Sequence, residues 1–214
     1  RFATEMLGRY RGDGRIGAIA GFNGFNLQSD VCSSYHFSGH LDVWGWASWR
    51  RVWNQYDVEA KEYCTKVDEI VNAAPWKAYS KYCLRKGIRE VQEGLNTWDF
   101  QFFLISLAKK WLTIVPKERL VCNVGFDMAD ATHTGGYNYY AGRFSRLGHV
   151  RFPLRHPTEV VCDERADRVR ESMDGAIFPR GLTWLGCEFP CLRTFLSAVG
   201  TMVEKCVPLL FRMP

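Results

Sequence analysis

The chain has 214 residues, of which 47% are hydrophobic, so it can bury one substantial core, and this excludes a disordered tail. Its formal net charge of +5, from 28 Lys and Arg against 23 Asp and Glu, comes from interspersed residues and not from a basic block. Such an excess suits an anionic ligand such as a phosphorylated donor, or it belongs to an ordinary solvated surface. Nucleic-acid binding is not expected, because no basic-aromatic recognition module accompanies the charge.

The first elements in chain order are a helix and a strand. RFATEMLGRY places Phe2, Met6, Leu7 and Tyr10 on one face at helical spacing. GDG ends that helix, and RIGAIAGFNGFN then predicts a short buried strand that runs into a loop of Gly and Asn. Helix, turn and strand are typical of the second half of a βαβ unit, so we expect the first strand of that unit upstream of Arg1.

Tryptophans are concentrated between positions 44 and 98. Trp46, Trp49 and Trp53 recur at three and four residues, which predicts a short helix with these indoles along one stripe. Most aromatic helices build a core, but an indole also offers a flat apolar face and an N–H donor, which suit a sugar ring. The tryptophans of this segment are Trp44, Trp46, Trp49, Trp53, Trp76 and Trp98.

Further helices and strands follow. Residues 58–74 predict a polar helix that ends at APW. From Thr97 the pattern becomes a strongly apolar helix, with Thr97 as N-cap and Asp99 in the first turn, where the helix dipole favours a carboxylate. WLTIVP and RLVCNVGF predict two short strands, and PTEVVCDERADRVRESM predicts a strand that runs into a charged helix. The coarse prediction is one mixed α/β unit.

The cysteines and the C-terminus bear on location. Several of the eight cysteines lie inside apolar runs such as RLVCNVGF, which is typical of reduced, buried thiols in a cytoplasmic protein. No stretch reaches the roughly 18 uncharged apolar residues of a membrane span. The last segment is interrupted by Arg193, Glu204 and Lys205, so we expect it to pack on a core or a partner, with peripheral membrane contact as the alternative.

Asp99 and His133 are the candidate reactive residues. Asp99 either completes a helix N-terminus or acts as a general base that faces a ligand. His133 lies in FDMADATHTGG, a loop whose oxygen donors and glycines suit a divalent cation or a diphosphate, although loop histidines are more often solvated. Nucleophile motifs such as G-x-S-x-G are absent from the sequence, and nothing marks one cysteine as activated.

Four segments together resemble a known family: SSYHFSGHLDVWGWASWRRVWNQYD, WDFQFFLISLAKKWLTIVP, LVCNVGFDMADATHT and FPLRHPTEVVCDERAD. In this order they are similar to the C-terminal half of bacterial GT-A glycosyltransferases described as hemolytic-protein-like or nucleotide-diphospho-sugar transferases. The most specific parts are WGWASWRR and ATHT, and the resemblance extends over about residues 1 to 168. It implies a GT-A-like mixed sheet with flanking helices over residues 1–174, followed by a C-terminal helical extension over 175–214.

The resemblance also implies an activity. Such enzymes transfer a sugar from a nucleotide-diphosphate donor to a hydroxyl of a glycan or a lipid-linked acceptor in polysaccharide biosynthesis, in the cytoplasm or at the inner membrane surface. It places Asp99 at the catalytic base and His133 beside a divalent metal, Mn or Mg. The predicted acceptor contacts, which follow from the tryptophan-rich segment, are Trp44, Gly45, Trp46, Trp49, Arg50 and Trp98.

One departure from the family pattern shapes this expectation. The family holds the donor diphosphate through an Asp-x-Asp motif and its metal, and the chain contains no Asp-x-Asp. We therefore expect most metal ligands and the nucleotide-binding part upstream of Arg1, and the chain to be an acceptor-side portion that is inactive by itself. A non-catalytic carbohydrate-binding or interaction module, which would use the tryptophans without Asp99 or His133, is the alternative. A thiol-dependent hydrolase has no supporting feature.

Overall fold

The structure, a computed structural model, describes residues 1–24, 30, 32–122 and 147–175. Ten helices and strands are present in these ranges. In chain order they are α1 (Phe2–Arg9), β1 (Ile16–Ile19), β2 (Tyr35–Ser38), α2 (Arg50–Trp53), α3 (Lys61–Cys64), α4 (Val67–Ala73), α5 (Ala78–Gln92), α6 (Asp99–Ala108), β3 (Leu112–Pro116) and α7 (Glu164–Gly175).

The three strands form one mixed sheet in the order β1-β3-β2. β1 runs parallel to β3, with Ile19 opposite Ile114, whereas β2 runs antiparallel to β3, with Phe37 opposite Ile114. Every residue of the central strand except Leu112 is buried. A strand covered on both faces needs a nearly continuous apolar run, and LTIVP supplies one. The mixed α/β class expected from the sequence is therefore confirmed at this coarse level.

α1 packs on the sheet through the face that its sequence predicted. Phe2, Met6 and Tyr10 are buried in the core. The hydroxyls of Tyr10 and Tyr35 lie 2.5 Å apart, and both rings meet Phe37 edge to face. The predictions of this helix and of the buried strand after it are confirmed.

Helix α5 was not predicted from the sequence. It packs against α4, α6 and α7, yet its buried residues are only Leu84, Gly87 and Ile88. Gly87 admits the ring of Phe100, because a Cβ at this position would lie 2.3 Å from two ring atoms. With so few buried residues, the helix is specified largely by its neighbours.

The predicted tryptophan stripe is wrong. α2 begins only at Arg50, and the preceding residues are extended: Ala47 forms a β-bridge with Ile19, and Trp49 has β-region backbone angles. Helical spacing therefore does not apply between Trp46 and Trp49. Trp49 points into the core, while Trp46 turns elsewhere.

The predicted N-cap of α6 is also wrong. Trp98 occupies the N-cap position without a side-chain capping hydrogen bond, and the Thr97 hydroxyl donates to the Asp99 carboxylate instead. The predicted first-turn position of Asp99 is confirmed.

The other predicted elements have mixed outcomes. The polar helix is present as α3 and α4, and the charged helix is present as α7. The strand expected before α7 is reduced to one bridge between Phe37 and Cys162. Of RLVCNVGF the structure describes residues up to Cys122, which form no strand, and the remainder lies outside the described residues, as does 176–214. Within the described ranges, no helix combines the length and the apolar character needed to cross a membrane.

Candidate functional site

The strongest candidate site lies at the carboxyl end of the parallel strands. Asp99 begins α6 next to Trp98, and the Trp98 ring stacks on the ring of Trp46. Ala47 pairs with Ile19, the last residue of β1, which brings the adjacent Trp46 to the same end. Ligands of open α/β sheets bind beyond the carboxyl ends of the strands.

The Asp99 carboxylate is held on one side only. Its Oδ1 accepts hydrogen bonds from the Thr97 hydroxyl and from the Phe100 N–H, the latter at 3.0 Å. Within the described part of the chain, Oδ2 accepts no hydrogen bond. Asp99 thus satisfies one N–H of the helix start, and it also keeps one oxygen that can take a proton from a bound hydroxyl.

Five aromatic rings gather at the start of α6, and we call them the indole cluster: Trp46, Trp53, Tyr56, Trp98 and Phe102. Trp46 stacks on Trp98 with ring centroids 5.0 Å apart, and Trp53 stacks on Tyr56 at 4.6 Å. Phe102 is fully buried and lies 5.4 Å from Trp46. Trp53 and Trp98 remain 43% and 37% exposed. Adjacent exposed indoles on a packed base are typical of a binding surface.

Gly45 determines how the two flanking tryptophans separate. Its φ is +61°, and a Cβ at this position would lie 2.4 Å from Cγ1 of Val121, so both the backbone and the available space require glycine. Trp44 packs on Phe22, with centroids 4.6 Å apart, while Trp46 turns into the indole cluster. One residue thus directs neighbouring indoles to different places.

Two other predicted acceptor contacts lie apart from the cluster. Trp49 is 8% exposed and donates its indole N–H to the Leu7 carbonyl at 3.0 Å, with the Arg51 guanidinium 4.6 Å from its ring. Arg50 is exposed at the start of α2. Contacts of these residues with an acceptor stay predictions.

Electrostatics connects the indole cluster to the carboxylate. Burial raises the pKa of Tyr56, and the negative charges of Asp57 and Asp99 raise that pKa further. The Tyr56 hydroxyl is buried and has no hydrogen-bond partner among the described residues. Asp99 and the cluster therefore share one electrostatic environment.

The metal ligand that the sequence predicts is His133. His133 lies outside the described residues. Within those residues, no group of three or more His, Cys, Asp or Glu side chains could hold a metal ion. The expected Mn or Mg site, with most of its ligands upstream, stays a prediction.

The structure brings together Asp99, Trp46 and Trp98 among the predicted site residues. It adds Tyr56 and Phe102, which the sequence analysis did not single out. The three-residue spacing of Trp53 and Tyr56 was the available signal for the first, since such spacing stacks side chains on a helical turn. Phe102 gave no signal beyond an ordinary apolar helix position.

No protein-family model, curated protein or solved structure matches the chain.

Proposed function

We propose that the chain is the acceptor-side part of a nucleotide-sugar-dependent glycosyltransferase. Asp99 is its general base, and Trp46, Trp53 and Trp98 hold a glycan or a similar acceptor. The observation that supports this most is the position of the Asp99 carboxylate beside partly exposed, stacked indoles. Both of its hydrogen bonds within the described residues are made by Oδ1, which leaves Oδ2 available to a ligand. A base and an apolar ring-binding surface side by side are what a hydroxyl-bearing sugar acceptor requires.

The chemistry assigned to Asp99 is a single proton transfer. The acceptor hydroxyl gives its proton to Oδ2 as its oxygen attacks the anomeric carbon of the donor. The bond from that carbon to the donor phosphate oxygen breaks, and the nucleotide diphosphate leaves with the electron pair. The hydrogen bonds of Thr97 and Phe100 to Oδ1 keep the carboxylate oriented during this step.

The indoles supply position and not reactivity. A sugar ring stacked on Trp98 excludes water on one face and holds its hydroxyls near the start of α6. The underlying Trp46 and Phe102 support that indole. The donor nucleotide and its metal have no assigned residues in this proposal apart from His133, which stays a prediction.

The test is Asp99→Asn in the complete protein, assayed by nucleotide-diphosphate release over a panel of nucleotide sugars and glycan acceptors. We expect kcat to fall by about 10²- to 10⁴-fold, with donor KM unchanged, because the amide cannot accept the proton. Asp68→Asn is the matched control, since Asp68 is 83% exposed and pairs with Arg85 away from the cluster. Native turnover in the Asp99 variant would remove it from the catalytic role.

A non-catalytic carbohydrate-binding module is the second candidate, and the two exposed indoles are what favours it. Such a module binds glycans whether position 99 is Asp or Asn. It also releases no nucleotide diphosphate from any donor when the complete protein is supplied with acceptor. Glycan binding without turnover in the native protein would therefore support the module and reject the enzyme.

A further inference from the structure

A cavity lies at the other end of α6 from Asp99. It has a volume of about 470 Å³ and opens where the C-terminal ends of α4 and α6 meet α7. Gly39, just after β2, and Leu112, at the start of β3, also line it, which places it at the amino end of the central strand. Leu107 in its wall and Asp99 are roughly 12 Å apart along the helix axis, at about 1.5 Å per residue. We call this cavity the α7 pocket.

The wall of the α7 pocket is mostly apolar and held in place. Ile70, Leu107, Trp76 and Trp111 line it, and the Trp76 ring stacks on the His40 ring at 4.5 Å and 11°. A cavity of this size with apolar walls and a few polar groups is typical of a site for a small molecule.

The His40 ring is held in place by the buried carboxylate of Glu171. Its Nε2 lies 3.0 Å from Oε1 of Glu171, and the Lys77 N–H donates to Oε2 of the same carboxylate at 2.7 Å. Glu171 is 3% exposed. Burial acts to raise the pKa of Glu171, but the contact with His40 and the other donors outweighs it and lowers that pKa. The aromatic pair is therefore a preformed surface, and the carboxylate behind it is ionised and held in place by its donors.

The other acidic groups of the pocket are engaged as well. Asp167 accepts from the Ser38 hydroxyl at 2.6 Å, from the Gly39 N–H at 2.8 Å and from the Cys162 thiol at 3.1 Å. Glu164 pairs with Arg168 at 3.1 Å. The donors of Asp167 are neutral groups, which hold the carboxylate in the wall without cancelling its charge.

Two ammonium groups remain without a carboxylate. Lys77 donates through Nζ to the neutral Ser172 hydroxyl, and Lys110 forms no ion pair or hydrogen bond through its side chain within the described ranges. Both lysines are exposed, so they lie at the rim of the pocket. The formal charges of the lining cancel, with Lys77, Lys110 and Arg168 against Glu164, Asp167 and Glu171. The two lysines lie at the exposed rim, whereas Glu171 is buried and Asp167 partly buried in the wall, so an anionic group meets positive charge at the rim and the ligand body meets apolar walls.

From this combination we propose that the α7 pocket binds a small amphipathic monocarboxylate. Its apolar chain or ring packs against Trp76 and Leu107, and its carboxylate lies at the rim beside Lys77 and Lys110. This site is separate from the indole cluster and does not depend on the proposed transferase activity.

The test uses 8-anilinonaphthalene-1-sulfonate, a fluorescent probe with apolar rings and one negative charge. We expect saturable binding at one site per chain, displaced by decanoate and more weakly by the uncharged 1-decanol. Ala73→Trp, at an exposed position that lines the pocket, should weaken the probe by at least about tenfold by filling the cavity. Ala78→Trp, exposed at the start of α5 outside the lining, should leave binding unchanged.

A second pair of variants tests the contribution of the rim lysine Lys110 to binding of the anionic probe. Lys110→Glu should weaken the probe by about two- to fivefold, the range of an exposed ion pair, while Lys109→Glu, next to it but outside the lining, should not. If Ala73→Trp binds the probe with native affinity, the proposed site is wrong. It is also wrong if Trp98→Ala no longer binds the probe, because the probe would then bind at the indole cluster. Equal effects of the two lysine variants, or equal displacement by decanoate and 1-decanol, overturn the carboxylate assignment.

Discussion

At the scale of single residues, Trp98 breaks a local rule. N-cap positions favour Ser, Thr, Asp or Asn, whose side chains satisfy the free N–H groups of a helix start. Trp98 holds that position without a capping hydrogen bond, although Thr97 beside it would make a good cap. It is also a large apolar side chain left 37% exposed. Local rules are broken most often at functional sites, and this one places an indole directly beside Asp99.

A substitution of Trp98 tests this reading. Trp98→Ala should weaken binding of acceptor oligosaccharides by about tenfold, because ring stacking contributes about 0.5 to 1.5 kcal/mol beyond area burial. Tryptophan fluorescence titration or calorimetry measures the change. Trp44→Ala removes an indole that packs on Phe22 outside the cluster, so it should bind the same glycans with native affinity. Equal weakening in both variants would show that the cluster is not the binding surface.

At the scale of elements, one carboxylate joins α7 to the end of β2. Asp167 on the helix accepts hydrogen bonds from Ser38, the last residue of β2, and from the Gly39 backbone. It also accepts from Cys162, where burial and the Asp167 charge raise the pKa of the thiol to about 12. The thiol is therefore a protonated donor at neutral pH and not a reactive nucleophile.

Removal of the Asp167 carboxylate should destabilise the packing of α7 against the end of β2. Asp167→Ala leaves the donors of Ser38 and Gly39 without their partner, and we expect the free energy of unfolding to fall by about 2 to 4 kcal/mol. Urea denaturation gives the value. Glu164→Ala on the same helix breaks only an exposed pair with Arg168, whose loss should cost less than about 1 kcal/mol. Similar losses in both variants would mean that α7 is not held through Asp167.

At the scale of the whole molecule, one buried and one partly buried histidine make the fold sensitive to acid. Burial lowers the pKa of His36, and the nearby Arg170 acts in the same direction, although Asp163, Asp167 and Asp42 oppose it. Its Nδ1 is buried with no partner among the described residues. Burial, together with Arg9, also lowers the pKa of His156, despite the opposing charge of Glu5. Both imidazoles are therefore favoured in the neutral form by the folded state.

This determines the sign of the pH dependence. A histidine whose pKa is lowered by folding takes up its proton more readily in the unfolded chain, so stability is complete above about pH 6.5 and is lost as the pH falls. Urea denaturation between about pH 7.5 and 5 should show this decline. His36→Gln should flatten it, and His149→Gln, at an exposed position, should not. An unchanged slope in His36→Gln would exclude this histidine as a cause.

The sequence by itself determined the elements whose patterns are strong and local. The sequence predicted α1 from the helical spacing of its apolar residues and β3 from its short continuous apolar run, because both patterns are local. The first-turn position of Asp99 followed in the same way. α5 went unpredicted because it buries few apolar residues, and its stability comes from neighbours distant in sequence.

Only the tertiary structure decided which residues form the candidate sites. The spacing of Trp46 and Trp49 suggested one stripe, but a β-bridge at Ala47 keeps the backbone extended, and the two indoles separate. Trp46 meets Trp98 although the two are 52 positions apart in the chain (98 − 46), and no local rule predicts a contact over such a distance. The α7 pocket likewise depends on three helices meeting at one end of the sheet. Local periodicity specifies elements, whereas the chemistry of a site depends on contacts between residues far apart in the chain.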